Sequence, residues 1–440
     1  MLHHRRLTRR SFVQGISAAA VAAPCVIRSS ALGLNGNVAP SNRVALGCIG
    51  VGMRGRFNMQ RLAHFGGQIV AICDVKAGMR EPVRAQCRLP TSASHNDFRD
   101  LVQRKDVNAV MIATPDHWHV LISMAAIQAG KDVYVEKPLG ITVAEGQALR
   151  KVVRQSKCVF MHGTEQRGQP EVRKVCELVR NGRIGKLHTI TVSTPGGRES
   201  PPQPEMPVPP GFDYDLWLGP APKAPYTAIR TGRVRPDQKI TEPWERGFYF
   251  ITDYCPAGFI GNWGVHHLDI AQWANNSDHT GPVEIEGRAT FPKPGGFFDT
   301  PLTWHIQYQY ANGVKMIFTD TSENPEGFRL EGTDGWILKP HSKPATAHPP
   351  SLLSSVIGPN EIHLYETDED NHCFMECVKS RQQTCSPIEA AHRSSSLGYL
   401  GNIAVRLGRK LRWDPAKERF VNDPQADRML SREMRGPWHL

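Results

Sequence analysis

The chain has 440 residues, of which 40% are hydrophobic and 22% charged, a globular composition that excludes a disordered, collagen-like or coiled-coil protein. Its formal net charge is +11, but five arginines lie in the first 40 positions and removing them leaves +6, which argues against nucleic-acid binding. No apolar run reaches the roughly 18 residues that a membrane-spanning helix needs.

The first 40 residues have the pattern of an export signal. Thr8–Val13 (TRRSFV) contains two consecutive arginines, and the small, apolar, uncharged run Ile16–Ile27 follows. This order of segments is typical of a twin-arginine signal. We therefore predict that residues 1–40 are a signal and linker, and that the protein is periplasmic or in the cell envelope; a disordered basic tail is the alternative. Because this route carries folded proteins, it also favours a tightly held cofactor.

Strand and helix patterns alternate between residues 41 and 163. Helices between short apolar strands indicate parallel pairing, which predicts a Rossmann-type, doubly wound parallel sheet that binds a nucleotide. The predicted strands are Arg43–Ile49, Gln68–Cys73, Ala109–Ala113, Val133–Val135 and Val159–Met161. The predicted helices are one marked by Phe57, Leu62 and Phe65, and the segments Val120–Ala129 and Ala144–Gln155.

Residues 164–440 have a different pattern and are predicted to form a second, α+β domain. Asn312-Gly313 indicates a hairpin between two of its strands. The predicted strands are Lys186–Val192, Glu284–Phe291, Thr303–Tyr310 and Val314–Phe318, and the predicted helices are Asn371–Ser380 and Glu389–Leu407. The proline-rich segment Pro195–Pro243 and the segment Pro340–Pro359 are predicted to be long loops.

A glycine-rich turn follows the first predicted strand. Gly50–Gly55 reads GVGMRG and matches the G-x-G-x-x-G fingerprint, whose glycines allow a tight turn and let the backbone approach a pyrophosphate at a helix N-terminus. Asp74 ends the second strand, where a carboxylate accepts hydrogen bonds from ribose hydroxyls and repels a 2′-phosphate. The combination favours NAD, although Arg54 and Lys76 keep NADP as an alternative.

Two more segments lie at the carboxyl ends of predicted strands, where open α/β sheets bind their ligands. Thr114–His119 (TPDHWH) is predicted to line the nicotinamide half of the site; a helix cap at Asp116 and a metal-binding pair of histidines are the alternatives. Glu136-Lys137-Pro138 places a lysine just past a buried strand, where it is predicted to exchange a proton with a substrate hydroxyl.

A further motif begins the predicted helix at Gly264. His266 and Asp269 are three residues apart and share one helix face, so the carboxylate is predicted to orient the imidazole in an acid–base pair. His267 points elsewhere, and a structural role is the simpler interpretation for it. Together with Asn262 and Trp263, it is also a candidate contact for the substrate.

Taken together, these motifs resemble those of the Gfo/Idh/MocA oxidoreductases, the glucose–fructose oxidoreductase and inositol dehydrogenase family, and of its exported bacterial branch. The resemblance covers roughly Arg43 to Trp438. The matching segments are Gly50–Gly55, Ala113–His119, Glu136–Pro138, Phe212–Pro222, Gly264–Trp273, Gly401–Ala404 and Trp413–Pro415. It implies that the second domain contains an open mixed sheet, which in the family commonly serves oligomerisation, so a homodimer or homotetramer is expected.

The resemblance also implies roles for individual residues. Lys137 matches the lysine that hydrogen-bonds the reacting oxygen, His266 the acid–base histidine, and Asp269 a recurrent carboxylate; these three are the predicted catalytic residues. Where the family often has aspartate, this chain has Asn262, which can position a substrate but cannot exchange a proton. The predicted cofactor-binding residues are Gly50, Gly52, Met53, Arg54, Gly55, Asp74, Thr114, Pro115, His119, Glu136 and Lys137.

The implied activity is hydride transfer between a carbohydrate or cyclitol and NAD, or NADP, without a metal site. An exported enzyme would keep its nucleotide bound and regenerate it with a second substrate. Three alternatives belong to other classes. They are an NAD-dependent, redox-assisted glycosidase or lyase, whose relatives have an altered Glu-Lys-Pro motif; a metallohydrolase using His117, His119 and His266; and a non-catalytic sugar sensor.

Overall fold

A computed structural model of the chain describes residues 43–234 and 247–440. The predicted signal at residues 1–40 lies outside the described residues, and so does the part of the predicted proline-rich loop from 235 to 243. The loop prediction is wrong in part, because the described part of that segment contains two short helices, Tyr214–Leu218 and Ala228–Thr231. Within the described ranges, no helix combines the length and the apolar character that crossing a membrane requires.

The first sheet is parallel and contains six strands, β1 (Val44–Ile49), β2 (Gly67–Cys73), β3 (Ser94–His95), β4 (Ala109–Ile112), β5 (Asp132–Glu136) and β6 (Phe160–Gly163). Their order across the sheet is β3-β2-β1-β4-β5-β6. The order reverses between β1 and β4, which confirms the doubly wound fold and opens a crevice beyond the carboxyl ends of these strands.

The helices between these strands are α1 (Met53–His64), α2 (Ala77–Gln86), α3 (Phe98–Val102), α4 (His119–Gln128) and α5 (Val143–Gln155). Thr142 caps α5, because its hydroxyl oxygen accepts a hydrogen bond from the backbone N–H of Glu145 at 3.2 Å. The sequence analysis missed β3, α2 and α3. Strand β3 and helix α3 are too short to show a hydrophobic period.

The second sheet is mixed and contains nine strands, β7 (Leu187–Thr194), β8 (Glu284–Thr290), β9 (Thr303–Gln309), β10 (Lys315–Asp320), β11 (Gly327–Gly332), β12 (Trp336–Pro340), β13 (Thr346–His348), β14 (Leu411–Asp414) and β15 (Arg419–Phe420). Their order is β13-β12-β11-β7-β10-β9-β8-β14-β15. Strands β7 and β10 pair in parallel, whereas the other pairs are antiparallel.

The hairpin predicted at Asn312-Gly313 is confirmed: β9 and β10 pair antiparallel, and Gly313 has the positive φ (+90°) that such a turn needs. The loop predicted over Pro340–Pro359 is wrong in part, because it contains β13 and a 3₁₀ turn at Pro350–Ser354. Strand β11 was also missed. It begins and ends with glycine, a residue depleted in strands, so only the four residues between the glycines show the alternation of a strand.

The helices that follow β6 are α6 (Pro170–Arg180), α7 (Tyr214–Leu218), α8 (Ala228–Thr231), α9 (Gly258–Gly261), α10 (Val265–Ala274), α11 (Asp370–Ser380), α12 (Ile388–Leu407) and α13 (Pro424–Arg428). Helix α12 is buried along nearly its whole length and packs against both α5 and α10. It thereby joins the parallel sheet to the helix that carries His266, and fixes the two walls of the crevice with respect to each other.

Candidate active site

A cavity of about 620 Å³ lies between the carboxyl ends of the parallel strands and the start of α10. This volume is in the range of small-molecule and cofactor sites. The predicted site residues that line it are Gly50, Gly52, Met53, Arg54, Asp74, Thr114, Pro115, Glu136, Lys137, Asn262, Trp263 and His266. The predicted residues outside its lining are Gly55, His119, His267 and Asp269.

The glycine turn has the geometry that its sequence predicts. Gly50 has a φ of +81°, and a Cβ there would lie 2.5 Å from the carbonyl oxygen of Ala113. A Cβ at Gly55 would collide with the carbonyl oxygen of Gly50, so this glycine allows α1 to pack against the turn. A Cβ at Gly52, in contrast, would meet no atom within 4 Å, so space is open where a ligand would approach.

This turn fits the phosphate groups of a dinucleotide. Helix α1 begins directly after Gly52 with neither a side-chain cap nor an acidic residue in its first turn. Its first N–H groups therefore lack an intramolecular side-chain acceptor, and an anion is favoured at this helix terminus. Asp74 faces the same turn and accepts a hydrogen bond from Val51 N at 3.0 Å and one from Lys76 N at 2.9 Å.

The two cations that kept NADP as an alternative both have partners in the protein. Lys76 Nζ donates to the carbonyl oxygens of Thr231 (2.6 Å) and Arg233 (2.9 Å), and burial lowers the pKa of Lys76 to about 8. Arg54 Nε donates to Glu136 Oε1 at 2.6 Å, and its terminal nitrogen pairs with Glu165. Arg54 therefore lies at the Glu136 side of the cavity.

Glu136 organises the segment before Lys137. Its Oε1 atom also accepts from Asn58 Nδ2 at 2.8 Å, and Oε2 accepts from the backbone N–H of Lys137 at 3.3 Å. Burial acts to raise the pKa of Glu136, but the charge of Arg54 and the Asn58 hydrogen bond outweigh it and lower this pKa below its ordinary value. The carboxylate stays ionised and holds the backbone from which Lys137 projects.

Lys137 is held by Asn262, which occupies the position at which the resemblance leads us to expect aspartate. The ammonium of Lys137 donates to the Asn262 backbone oxygen at 3.0 Å and to its side-chain oxygen at 2.9 Å. The amide nitrogen of Asn262 donates to Asp116 Oδ2 at 2.7 Å. Burial is the main influence on Asp116 and raises the pKa of its carboxyl group. A lysine, an amide and a buried carboxyl group thus form a chain at one end of the cavity.

His266 lines the same end of the cavity as a neutral imidazole. Burial and the neighbouring Lys137 ammonium hold the pKa of His266 well below its ordinary value. Its Nδ1 atom lies 2.9 Å from the carbonyl oxygen of Thr164, which can only accept a hydrogen bond. The ring proton therefore sits on Nδ1, and Nε2 carries the lone pair that can accept a proton.

The structure differs from the predicted direct pairing of His266 with Asp269. The Asp269 carboxylate is fully buried and forms a two-fold ion pair with Arg167, with Nε–Oδ2 and Nη2–Oδ1 distances of 2.8 Å. It also accepts hydrogen bonds from Ser394 (2.6 Å) and from the Thr164 hydroxyl (3.2 Å). Asp269 thus reaches His266 only through Thr164, because the helix turns its carboxylate toward Arg167.

The histidines of the Thr114–His119 segment contact backbone. His119 Nδ1 lies 2.7 Å from the carbonyl oxygen of Pro138, and Nε2 lies 2.9 Å from that of Thr114, so this ring ties together the loops after β4 and β5. His117 Nε2 lies 3.0 Å from the Trp217 carbonyl oxygen, and burial lowers the pKa of His117 to about 3. Neither joins His266 in a metal cluster within the described residues.

The remaining candidates for substrate contact, Trp263 and His267, lie at the start of α10. Trp263 is half-buried, its indole N–H donates to Glu326 at 2.8 Å, and its ring lies 5.3 Å from Lys137 Nζ. His267 is buried, and its Nδ1 lies 3.1 Å from Gln166 Nε2. Trp263 and Asn262 line the cavity, whereas His267 does not.

Sequence reasoning missed the loop after β6. Thr164, Glu165 and Arg167 contact His266, Arg54 and Asp269 respectively. The rule that ligands bind beyond the carboxyl ends of parallel strands would have indicated this loop, because it follows β6 directly. Glu326, which accepts the hydrogen bond from Trp263, lies far along the chain and gave no such signal.

Comparisons with known proteins agree with this architecture. The family profile described as "Oxidoreductase family, NAD-binding Rossmann fold" (GFO_IDH_MocA) matches residues 44–164, and the one described as "Oxidoreductase family, C-terminal alpha/beta domain" (GFO_IDH_MocA_C2) matches residues 169–440. Together they cover nearly all the described residues.

Individual relatives are more distant. An inositol 2-dehydrogenase of Salmonella typhimurium is 33% identical over 147 residues, 32% of this chain and 42% of that protein. An alpha-N-acetylgalactosaminidase of Shewanella oneidensis is 32% identical over 169 residues, 36% of this chain and 37% of that protein. The chain thus matches less than half of either relative. The crystal structure of an aldose–aldose oxidoreductase from Caulobacter crescentus superposes with a TM-score of 0.61 at 17% identity, covering 84% of this chain and 99% of that one.

Proposed function

The chain belongs to the Gfo/Idh/MocA family of oxidoreductases, and from that membership we propose that it is a dehydrogenase of a sugar, sugar derivative or cyclitol hydroxyl that uses NAD. One observation carries the proposal. A single cavity joins the glycine turn and Asp74, which fit a dinucleotide, to Lys137 and His266, which can exchange protons with a hydroxyl. Residues 41–163 would bind the nucleotide, and residues 164–440 the substrate.

In this reaction the bound nicotinamide supplies the hydride acceptor or donor. The ammonium of Lys137 donates a hydrogen bond to the reacting oxygen and stabilises the negative charge that develops there. His266 Nε2 accepts the hydroxyl proton when the alcohol is oxidised, because its lone pair is unprotonated over the physiological range. In the reverse direction the same atom returns that proton.

In this mechanism Asn262 and Asp269 do not contact the reacting oxygen; each acts through other residues. Asn262 cannot exchange a proton at neutral pH, so it orients Lys137 and links it to Asp116. Asp269 holds the loop after β6 through Arg167 and Thr164, and this fixes the carbonyl group that selects the tautomer of His266. Both are therefore positioning residues in this mechanism.

NAD is the cofactor that the charges favour. The Asp74 carboxylate lies beside the glycine turn, where it would accept hydrogen bonds from ribose hydroxyls and repel a 2′-phosphate. Arg54 and Lys76, the two cations that kept NADP as an alternative, already have partners: Arg54 is bound to Glu136 and Glu165, and Lys76 to two carbonyl oxygens. Either cation would have to break these contacts in order to neutralise the 2′-phosphate of NADP.

The sequence of residues 1–40 supports export by the twin-arginine route to the periplasm or cell envelope. An exported enzyme of this kind would retain its nucleotide and regenerate it with a second carbohydrate. Family membership also favours a homodimer or homotetramer built on the second sheet. The export route can be tested by fractionating cells that express either the full chain or a variant in which Arg9 and Arg10 are both replaced by lysine. Cytoplasmic retention of the wild-type protein would contradict it.

The test of activity is near-ultraviolet absorbance of the full chain as purified, before and after adding a panel of sugars and cyclitols. We expect the absorbance band of reduced nicotinamide to appear with one class of substrate, with or without added NAD. The variant Lys137→Met should bind nucleotide and form this band about 10²- to 10⁴-fold more slowly. Absence of bound nucleotide, together with no response to either NAD or NADP, would refute the proposal.

A second candidate function is a redox-assisted glycosidase, which the similarity to the alpha-N-acetylgalactosaminidase favours. In such a reaction, transient oxidation of the sugar would precede cleavage of the glycosidic bond, with no net change in the nucleotide. Release of p-nitrophenol from nitrophenyl glycosides, dependent on NAD but without accumulation of NADH, would support this candidate over the dehydrogenase.

A further inference from the structure

A group of side chains outside the cavity has the composition of a metal site. His267, Glu326 and His341 each offer one potential ligand atom, and these three atoms lie within 4.8 Å of one another. His267 belongs to α10, Glu326 directly precedes β11, and His341 directly follows β12. Far apart in sequence, the three residues show none of the spacing that identifies a metal motif, which is why sequence analysis predicted no metal.

The sheet brings two of the three together. Strands β11 and β12 pair antiparallel, with Gly327 opposite Pro340, so the next pair beyond this end is Glu326 with His341. A hydrogen bond of 3.1 Å from His341 N to the Glu326 carbonyl oxygen continues the ladder. Their side chains also approach, with His341 Nδ1 3.8 Å from Glu326 Oε1. The two ligands are thus held by backbone pairing rather than by a flexible loop.

Two ring nitrogens in this group have no hydrogen-bond partner among the described residues. His267 Nε2 and His341 Nδ1 are both buried atoms without a hydrogen bond there. The His267 residue is 1% exposed. Burying an imidazole nitrogen without a partner is unfavourable, and a bound cation would satisfy both atoms together. This observation, independent of the carboxylate, points to a ligand.

The metal-binding tautomer of His267 requires a rotation of the Gln166 amide. The amide nitrogen of Gln166 lies 3.1 Å from His267 Nδ1 and can only donate, so in this orientation the ring proton is on Nε2; a 180° rotation of the amide places its oxygen against Nδ1 instead. With the oxygen facing Nδ1–H, the lone pair of His267 is on Nε2, the arrangement that second-shell carbonyl groups impose on metal-binding histidines.

The neighbouring charges allow a cation. The Glu326 carboxylate also accepts from Trp263 Nε1 at 2.8 Å, which leaves lone pairs on its oxygens. Lys339 is the nearby positive charge that opposes binding. Its ammonium is directed to the carbonyl oxygens of Pro340 (2.9 Å) and Lys343 (2.8 Å) and lies 3.6 Å from Glu171 Oε2, so that charge is partly neutralised.

We propose that His267, Glu326 and His341 bind one divalent first-row transition-metal ion, of the class represented by Zn²⁺ and Co²⁺. Two imidazoles and one carboxylate are a ligand set that such ions accept, with a fourth position left for water or another ligand. The ion would fix the position of Glu326, which accepts a hydrogen bond from the Trp263 indole. Trp263 in turn lines the substrate cavity. The site is additional to the proposed dehydrogenase chemistry, in which no metal takes part.

The test is metal binding by the full chain, expressed without a polyhistidine tag and treated with a chelator. We expect equilibrium dialysis to give one Zn²⁺ per chain. Co²⁺ should produce visible absorption bands at the same stoichiometry. Both readouts are independent of nucleotide and of activity. The absence of stoichiometric binding would overturn the proposal.

Variants separate this site from surface binding. His341→Ala and Glu326→Gln, at half-buried positions, should each weaken Zn²⁺ binding at least 100-fold and abolish the Co²⁺ bands. Gln166→Leu should weaken binding about 10- to 100-fold, as expected for a second-shell partner. The control is His188→Ala at an exposed strand position, which should change nothing. Circular dichroism confirms folding, and unchanged binding in the folded His341 and Glu326 variants would refute the assignment.

Discussion

The ammonium of Lys137 lies 2.9 Å from the side-chain oxygen of Asn262. The two residues are 125 positions apart in the chain, and they meet because Lys137 follows β5 while Asn262 precedes α10. An aspartate at this position would give Lys137 a charged partner, whereas asparagine offers it a neutral acceptor oxygen. In the proposed mechanism, the positive charge of Lys137 stabilises the negative charge that develops on the reacting oxygen.

Replacing Lys137 by methionine should reduce kcat by about 10²- to 10⁴-fold, the range expected when a group that stabilises the transition state is lost. Nucleotide affinity should change less than tenfold, because the glycine turn and Asp74 are untouched. Stopped-flow measurement of nicotinamide reduction and a fluorescence titration with NADH separate the two effects. The matched control is Lys105→Met at an exposed position. A turnover within twofold of the wild-type value would exclude a catalytic role for Lys137.

His266 and Asp269 should behave differently when they are changed. His266→Gln should lower kcat about 10²- to 10⁴-fold with little loss of stability, because the ring contacts a carbonyl group and the cavity. Asp269→Asn leaves the buried Arg167 without its main counter-ion, and should lower the free energy of unfolding by about 3–5 kcal/mol.

Urea denaturation and initial rates distinguish these two cases. Asp278→Asn is the comparison for the aspartate, because Asp278 also pairs with Arg167 but its side chain is 24% exposed. It should cost less stability than Asp269→Asn. An inactive Asp269→Asn variant of unchanged stability would instead indicate a direct catalytic role for this carboxylate.

Asp74 should determine the choice of nucleotide. In Asp74→Ser, the ribose hydroxyls lose a charged hydrogen-bond acceptor, which should weaken NAD binding about 10- to 100-fold. Binding of NADP should weaken less or improve, because the repulsion of the 2′-phosphate is removed. Calorimetric titrations with both nucleotides give the ratio of dissociation constants, and Asp100→Ser at an exposed position is the control. An unchanged ratio would show that a group other than Asp74 discriminates between NAD and NADP.

Glu145 should make stability depend on pH. Burial raises the pKa of Glu145 from 4.5 to about 7, although its Oε2 atom accepts a hydrogen bond from Ile141 N at 2.7 Å. Between these values the folded state binds more protons than the unfolded state, so stability falls as pH rises. The contribution is fully present below about pH 4.5 and is lost as pH rises through about 7.

The neutral variant Glu145→Gln removes this dependence. Its free energy of unfolding, relative to wild type, should increase from pH 4.5 to 7 and then level off, with a total change of about 3 kcal/mol. Urea unfolding at several pH values measures the change, and Glu205→Gln at an exposed position should show none. A difference that stays constant with pH would mean that Glu145 is ionised throughout.

Local patterns were sufficient for much of the fold and for the nucleotide half of the site. The glycines of Gly50–Gly55, the strand-end carboxylate Asp74 and the lysine after β5 are all determined within a few residues of chain. Their positions at the carboxyl ends of parallel strands then follow from the βα alternation. For the same reason the Asn312-Gly313 hairpin was correct, since a turn depends on the φ values of its own residues.

Side-chain partners were decided by the tertiary structure. His266 and Asp269 share a helix face, yet Asp269 turns to Arg167, because a buried carboxylate is stabilised far more by a buried guanidinium than by a neutral imidazole. The contact between Lys137 and Asn262 and the grouping of His267 with Glu326 and His341 depend on how α10 packs against α12 and the second sheet. Sequence spacing carries information about neighbours along one element, whereas contacts between elements are fixed only when the core packs.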